Sequence, residues 1–465
     1  MKILNTLRNY GNGTKYFHIF KQILACIAAD LIMLSAGMAY GFSGTLLPEL
    51  VLDESIAYDR SYDSWVASAL PLSAIFACLI AGPIIDRFGR KRGLMITLIP
   101  LFLGWLLQAF AKSIVLLLIG RFLTGLCTGA VRPCALVYLG EIFDPKYRGT
   151  ALFSMSLSMH LGVLICHWIS HYVNWRTCCF VFISPPLISL LILIYLRESP
   201  MWYILNGRID EGIEIFKWFR GDGEAADKEL EEFMKKQVGK ADITRKELLA
   251  FVFSKPFMKP FVTVVILFLS VQFLGLNNLS FYAEDIVRNT FSTDVDTFSM
   301  VMALDAIRVI SSLAMCSIID RLPRKLTFLS SSFVACIFIL AIAVFLYVDL
   351  GLIWLHILSM IGYVSFGSAV VSLSWSFLPE ISPSKVRGFT SGLGAAINFL
   401  MLFASVNATP RLGQVYGQQA VFILHGTTTL LCTVFLCFLL PETKGKTLQE
   451  IEDTYVNNGE GDSTK

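Results

Sequence analysis

The chain has 465 residues, of which 55% are hydrophobic and only 16% charged, with a mean hydropathy of +0.65. A soluble protein of this size cannot hide so much apolar surface, so the solvent around most of it is lipid. A net charge of +3 gives no case for a nucleic acid partner.

Residues 1–21 are polar and basic, with no cleavage site before the first apolar run, and read as an N-terminal segment that is kept. Twelve runs of the length a bilayer demands follow, at about 22–46, 62–84, 93–112, 114–138, 150–172, 177–196, 258–285, 297–319, 327–347, 351–378, 389–410 and 419–440. They are long and continuous rather than alternating, which excludes a strand-built pore. The expected fold is all-α, a polytopic membrane protein of twelve transmembrane helices in two pseudo-symmetric six-helix bundles. Its parts are an N-terminus (1–21), a first bundle (22–197), a polar helical linker (198–256), a second bundle (257–441) and a tail (442–465). Within the linker, 209–219 and 228–238 have helical spacing of apolar residues. Six of the eleven cysteines, Cys26, Cys78, Cys127, Cys166, Cys336 and Cys437, fall inside apolar runs, the pattern of buried thiols rather than a disulfide framework.

The charge pattern gives orientation. With both termini cytoplasmic, 30 of the 38 basic residues lie on the cytoplasmic side; Arg60, Lys112, Arg176, Arg288 and Arg411 lie outside, and Arg121, Arg132 and Arg308 lie within spans.

Two halves are visible in repeated charged phrases. Asp86-Arg87-Phe88-Gly89-Arg90-Lys91 after the second span recurs as Asp320-Arg321-Leu322-Pro323-Arg324-Lys325, 234 residues later. Glu141 and Arg148 after the fourth span recur as Glu380 and Arg387, at an offset of 239. Glu198 after the sixth recurs as Glu442, at an offset of 244. Three echoes at similar offsets indicate a parallel duplication. The acids and arginines are expected to pair across the bundles when the cytoplasmic side is closed, forming a bistable gate. Glu141 is the candidate partner of Arg90 or of a basic residue of the linker, and Glu380 of Arg324. Exposed pairs contribute only about 0–1 kcal/mol each, so the bias has to come from a network.

The seventh span carries amides at Gln272, Asn277 and Asn278, with Gly275 among them, where the helix can break near mid-membrane. An amide offers both a donor and an acceptor, which suits sugar hydroxyls or hydrogen bonds to neighbouring helices.

The loop phrase at 82–92, Gly120-Arg121-Phe122, Tyr138-Leu139-Gly140-Glu141, Asn174-Trp175, Glu198-Ser199-Pro200, the Gln272–Tyr282 stretch, Trp375 with Glu380, and Pro441 to Leu448 together resemble the sugar porters of the major facilitator superfamily. Within them the resemblance is to the insect facilitated trehalose transporters, over nearly the whole chain. It implies the major facilitator fold and sugar contacts at Gln272, Asn277, Asn278, Asn398 and Trp375. The chain departs from the pattern at Val271, at Arg308 where Asn is expected, at Val371-Ser372-Leu373-Ser374-Trp375 where a proline hinge is usual, at Pro323, at Phe399, and at Ser156 where many sugar porters have Gln.

A mid-membrane charge is costly unless it faces water or a partner. Asp305 is placed to pair with Arg308, three residues on, or to bridge to Arg132. The sharper expectation is an arginine lining the cavity and selecting a substrate with a carboxylate, a phosphate or many hydroxyls. Proton-linked porters similar to this chain carry an Asp opposite the arginine that matches Arg121, and Ser43 stands there. That implies passive, facilitated transport of trehalose or glucose-like sugars by a monomer in the plasma membrane. The competing functions are a non-transporting sugar sensor of the same fold and a proton-coupled symporter of an anionic or polyol solute. No metal-ligand spacing, nucleophile elbow or phosphate-binding loop appears, so neither enzyme activity nor a metal or cofactor is expected.

Overall fold

The computed structural model describes residues 15–221, 223, 228–231, 234, 245–291, 295–318, 321–348, 352–383, 386–444, 446, 450–451, 454 and 455. Among these residues it is helical throughout, with no strand. Spans one to five are single helices: α1 (Lys15–Leu52), α2 (Asp63–Phe88), α3 (Arg90–Ala109), α4 (Ile114–Ile142) and α5 (Pro145–Tyr172). The sixth is two helices, α6 (Trp175–Val181) and α7 (Ser184–Tyr195), with Pro185 and Pro186 in the first turn of α7, where missing N–H groups cost no helix bonds. Two linker helices follow, α8 (Pro200–Leu205) and α9 (Ile209–Arg220), then α10 (Arg245–Val252).

The seventh span is three pieces, α11 (Lys255–Phe273), α12 (Leu276–Phe281) and α13 (Ala283–Phe291). The last five spans are α14 (Thr297–Ile318), α15 (Arg324–Val348), α16 (Ile353–Ile381), α17 (Arg387–Tyr416) and α18 (Gln418–Leu439). Among the described residues, eleven spans are long and apolar enough to cross a membrane, and a shorter apolar piece is Phe257–Phe273, ended by the break after it. The second linker helix expected at 228–238 falls largely outside the described residues, and so does Asp320.

Small residues set how closely the spans approach. A Cβ at Gly37 in α1 would overlap the carbonyl of Met159 in α5, and one at Gly162 would overlap that of Leu34. The two helices therefore cross backbone to backbone. In lipid, where burying apolar surface between helices gains little, such close van der Waals contact supplies the association. Gly125 and Gly129 of α4 do the same against Leu70 and Ala74 of α2.

The linker docks by satisfying its own helix end. The last carbonyls of a helix have no partner within it. At the end of α9 the Trp218 carbonyl accepts from Lys21 Nζ at 2.9 Å and the Phe219 carbonyl from Gln22 Nε2 at 2.9 Å. Lys21 also lies over the Trp218 ring, 4.2 Å from its centroid. On the opposite face, Asp53 accepts from the Trp175 indole at 3.1 Å and pairs with Arg176. Burial works against its charge, but bonds from Ser55 and Arg176 hold the carboxyl well below the usual carboxylate range.

The α1–α5 crossing gives a direct test. Gly162→Val is expected to abolish the monodisperse peak in fluorescence-detected size-exclusion chromatography, whereas Gly82→Ala, where an added Cβ meets nothing within 4 Å, leaves it unchanged.

Candidate functional site

The site is built on the break in the seventh span. Gly275 adopts φ +81°, a left-handed conformation that costs other residues about 1–2 kcal/mol. The helix stops at Phe273 and restarts at Leu276, which frees backbone carbonyls inside the membrane. Side chains from three other spans take them. His425 of α18 lies 2.7 Å from the Phe273 carbonyl, Tyr363 of α16 donates to that of Leu274 at 2.8 Å, and Arg308 of α14 donates to that of Leu276 at 2.8 Å. Arg308 also donates to the Ser280 hydroxyl. Asn278 gives its amide to Ser405 Oγ at 2.8 Å and Thr409 Oγ1 at 2.9 Å in α17. Arg308 and Asn278, expected at the substrate, instead brace the broken helix, and neither lines the cavity beside it. The Asn278 amide nitrogen and the two terminal guanidinium nitrogens of Arg308 are engaged there, while Asn278 Oδ1 and Arg308 Nε are buried without a partner.

The other three amides do reach the cavity. Asn277 donates to Gln272 Oε1 at 2.9 Å, and Gln272 donates to Asn398 Oδ1 at 2.6 Å, so a chain of amides runs along its wall. Trp375 and Phe399 line it from the same half. From the first half come Arg132, Ser156, Tyr40, Thr128 and His160. The last three were not singled out in the sequence; a polar residue inside an apolar span was the available signal. The open volume is about 30 Å³, room for on the order of two waters. The cavity is contracted here, and a hexose has to widen it. Arg132 contributes to that contraction, because its guanidinium lies 4.5 Å from the centre of the Trp375 ring, across from one half to the other.

The remaining intramembrane charges are accounted for differently from expectation. Asp305 pairs with neither Arg308 nor Arg132; its Oδ2 lies 2.5 Å from His167 Nδ1 of α5. His167 Nε2 faces the Gly41 carbonyl at 3.1 Å. A carboxylate can be satisfied across the halves only where a donor faces it, and α5 presents a stripe of them. His160 meets Ser312 at 2.6 Å, and His171 stacks on Phe298 with ring centres 3.7 Å apart. Arg121 donates to the carbonyls of Ala39 at 2.8 Å and Val66 at 3.2 Å, and to the Ser43 hydroxyl.

The halves also touch through Tyr40 and Phe281, with ring centres 4.9 Å apart, and through Asn407, which donates to Ser68 at 3.1 Å. These contacts lie toward the face away from the chain ends, so the cavity is closed on that side.

At the face carrying the chain ends, the duplicated phrases make duplicated contacts. Arg90 lies 3.1 Å from Glu141 and 3.4 Å from Asp86, and Arg324 pairs with Glu380. Glu198 accepts from the backbone N–H groups of Lys91 at 2.6 Å and Arg92 at 3.1 Å. Glu442 accepts from those of Arg324 at 3.0 Å and Lys325 at 3.1 Å. Each glutamate thus caps the start of a helix, α3 or α15, where unpaired N–H groups and the helix dipole favour an anion. Arg148 reaches Glu229 of the linker at 3.3 Å, Arg87 lies over Phe88, and the Arg321 carbonyl accepts from Lys444 at 2.6 Å. The Arg387 side chain lies outside the described residues. These pairs stay within one half or tie it to the linker. Arg90 with Glu141 and Arg324 with Glu380 are the pairs expected from the sequence, and each lies within one half; pairing across the bundles was expected for a closed terminal face, and here the closed side is the opposite one.

Repeated halves of membrane-spanning helices around a polar cavity at a broken helix define a multi-pass transporter of the major facilitator fold. The family model described as "Sugar (and other) transporter" matches residues 26–455, and the chain belongs to that family. It is 29% identical to the facilitated trehalose transporter Tret1 of Apis mellifera ligustica, over 94% of this chain and 88% of that protein. It is also 29% identical to Tret1 of Polypedilum vanderplanki, over 96% of this chain and 90% of that protein. Among solved structures, the proton:xylose symporter XylE bound to 6-bromo-6-deoxy-D-glucose superposes with a TM-score of 0.76. It is 20% identical and covers 95% of this chain and 100% of its own, which shows the fold.

Two outcomes check this geometry. Tyr363→Phe leaves the Leu274 carbonyl without its donor and is expected to lower stability by about 1–3 kcal/mol in thermal unfolding of the purified protein. Glu198→Ala and Glu442→Ala each lose a cap, worth about 0.5–2 kcal/mol. As the sites lie in different halves, the double variant is expected to show the sum.

Proposed function

We propose that this chain is a facilitative sugar uniporter, for trehalose or a glucose-like sugar, that works by alternating access as a monomer in the plasma membrane with both termini cytoplasmic. The halves, residues 22–197 and 257–441, rock about the contracted cavity. The observation that carries the reading is the amide chain Asn277–Gln272–Asn398 on the cavity wall. Linked amides keep each other oriented while retaining donors and acceptors for hydroxyls. The likeness to facilitated trehalose transporters supports the substrate class.

The arginine–carboxylate clusters at the terminal face act in this reading by holding the helix ends of each half together, so that each moves as one body. Asp86, Arg87, Arg90, Glu141, Arg148 and Glu198 serve the first half. Arg321, Arg324, Glu380 and Glu442 serve the second; Asp320 and the Arg387 side chain, which match Asp86 and Arg148 in the repeat, lie outside the described residues. The buried His167–Asp305 contact joins the halves at the closed side and has to part when that side opens. Ser43 opposite Arg121 supports uniport: a hydroxyl does not titrate near neutral pH, so that place holds no proton-carrying acid.

Uptake of labelled trehalose and glucose in oocytes, with surface delivery confirmed, tests this. Gln272→Ala and Asn398→Ala are each expected to lower uptake roughly tenfold, the equivalent of about 1.4 kcal/mol. A protonophore is expected to leave wild-type uptake unchanged, and its collapse would overturn uniport.

A further inference from the structure

We infer that Arg132 makes this a carrier of acidic sugars, hexoses bearing a carboxylate or a phosphate, in preference to neutral ones. The inference rests on the transport reading above and narrows its substrate.

Three arginines lie within spans, and their surroundings separate them. Arg121 is held by two backbone carbonyls and the Ser43 hydroxyl. Arg308 is held by the Leu276 carbonyl and Ser280, and it caps the break in the seventh span. Both face away from the cavity and do structural work. Arg132 lies on the cavity wall. Its contacts are the Ser156 hydroxyl at 3.3 Å, the Met159 sulfur at 4.0 Å and the Trp375 ring. None of these is a carboxylate or a backbone carbonyl. No residue lining the cavity is acidic. Asp305 is taken by His167, and Asp30 of α1 is occupied by Ser154 and Cys26. The cavity therefore carries a buried guanidinium without a counter-charge, a costly arrangement in a membrane that marks a pathway residue.

The position of the charge says how it is used. The amides of the cavity belong to the second half, whereas Arg132 belongs to the first, beside Ser156. A substrate held at one end by hydroxyl bonds to Gln272, Asn277 and Asn398, and at the other by a planar fork of N–H donors, spans both halves. A guanidinium binds an anionic oxygen pair through two parallel, charge-assisted bonds, and the pair neutralises its charge as well, which a hydroxyl cannot do. The substrate has to lift Arg132 off Trp375 to enter, and an anion supplies the charge compensation that the ring gave.

The test is uptake of labelled D-glucuronate, D-glucose 6-phosphate, D-glucose and trehalose in oocytes with surface-confirmed protein. Wild type is expected to take up at least one acid at least tenfold faster than glucose. Glucuronate alone assigns the site to carboxylates, the phosphate ester alone to phosphates. R132Q is expected to lower the acid-to-glucose ratio at least tenfold, and R132K to restore part of it. Equal or greater uptake of neutral sugars by wild type, or an unchanged ratio in R132Q, overturns the inference while leaving sugar transport standing. Uptake of none of the four by wild type overturns the transport reading as well. If R132Q fails to reach the surface, thermal shifts of detergent-purified wild type with the same compounds decide: no greater stabilisation by either acid than by glucose overturns it.

Discussion

Inside a membrane no water satisfies a free backbone carbonyl, and each one left open costs several kcal/mol. That constraint organises the centre of this protein. Breaking the seventh span at Gly275 brings Gln272 and Asn277 to the cavity, but it also frees the carbonyls of Phe273 and Leu274 and leaves the restarted turn at Leu276 to be held. His425, Tyr363 and Arg308 answer them from three different spans. The second half is therefore tied together at the place where its helix is weakest. The absence of the proline hinge at Val371–Trp375 fits the same picture, since α16 runs unbroken there and supplies Tyr363 as a fixed donor.

The same logic governs the helix ends at the terminal face. A helix start exposes N–H groups, and in both halves a glutamate that follows the last span of that half returns to cap the third helix. An arginine one position before or at the capped turn then holds the glutamate that ends the fourth helix. Arg90 is buried against Glu141, and Arg324 and Glu380 are partly exposed, where an ion pair contributes less. The backbone bonds give the arrangement its rigidity, and the charges reinforce it.

Much of this was legible in the sequence because it is written in period and repetition. Twelve apolar runs specify twelve crossings, and echoes at near-equal offsets specify two halves. The break at Gly275 could be anticipated because a glycine among amides stands in an apolar span. Partner choice was not legible. The spacing of Asp305 and Arg308 allows a pair on one helix face, yet Asp305 turns to His167 because α5 brings a donor closer than the guanidinium, which the Leu276 carbonyl has claimed. The gate residues were recognised as a set, but whether their pairs cross the halves depends on three-dimensional packing that offset arithmetic does not contain. Asn278 and Asn277 are adjacent, and in a helix adjacent residues point about 100° apart, so only one of them faces the cavity.

The difference among the three buried arginines follows from what surrounds them rather than from depth. A guanidinium has five donors and is satisfied by whatever acceptors the fold places around it. Where those acceptors are backbone carbonyls, as for Arg121 and Arg308, the charge is spent on architecture. Around Arg132 the fold places a hydroxyl, a thioether and an aromatic face, which leave donor capacity directed at the cavity. Ser156 belongs to the same argument. Where many sugar porters have a glutamine, this chain has a short hydroxyl, and the polar reach of the first half into the cavity passes to the neighbouring arginine. At the wall a substrate has to touch, the first half thus presents a cation beside a short hydroxyl.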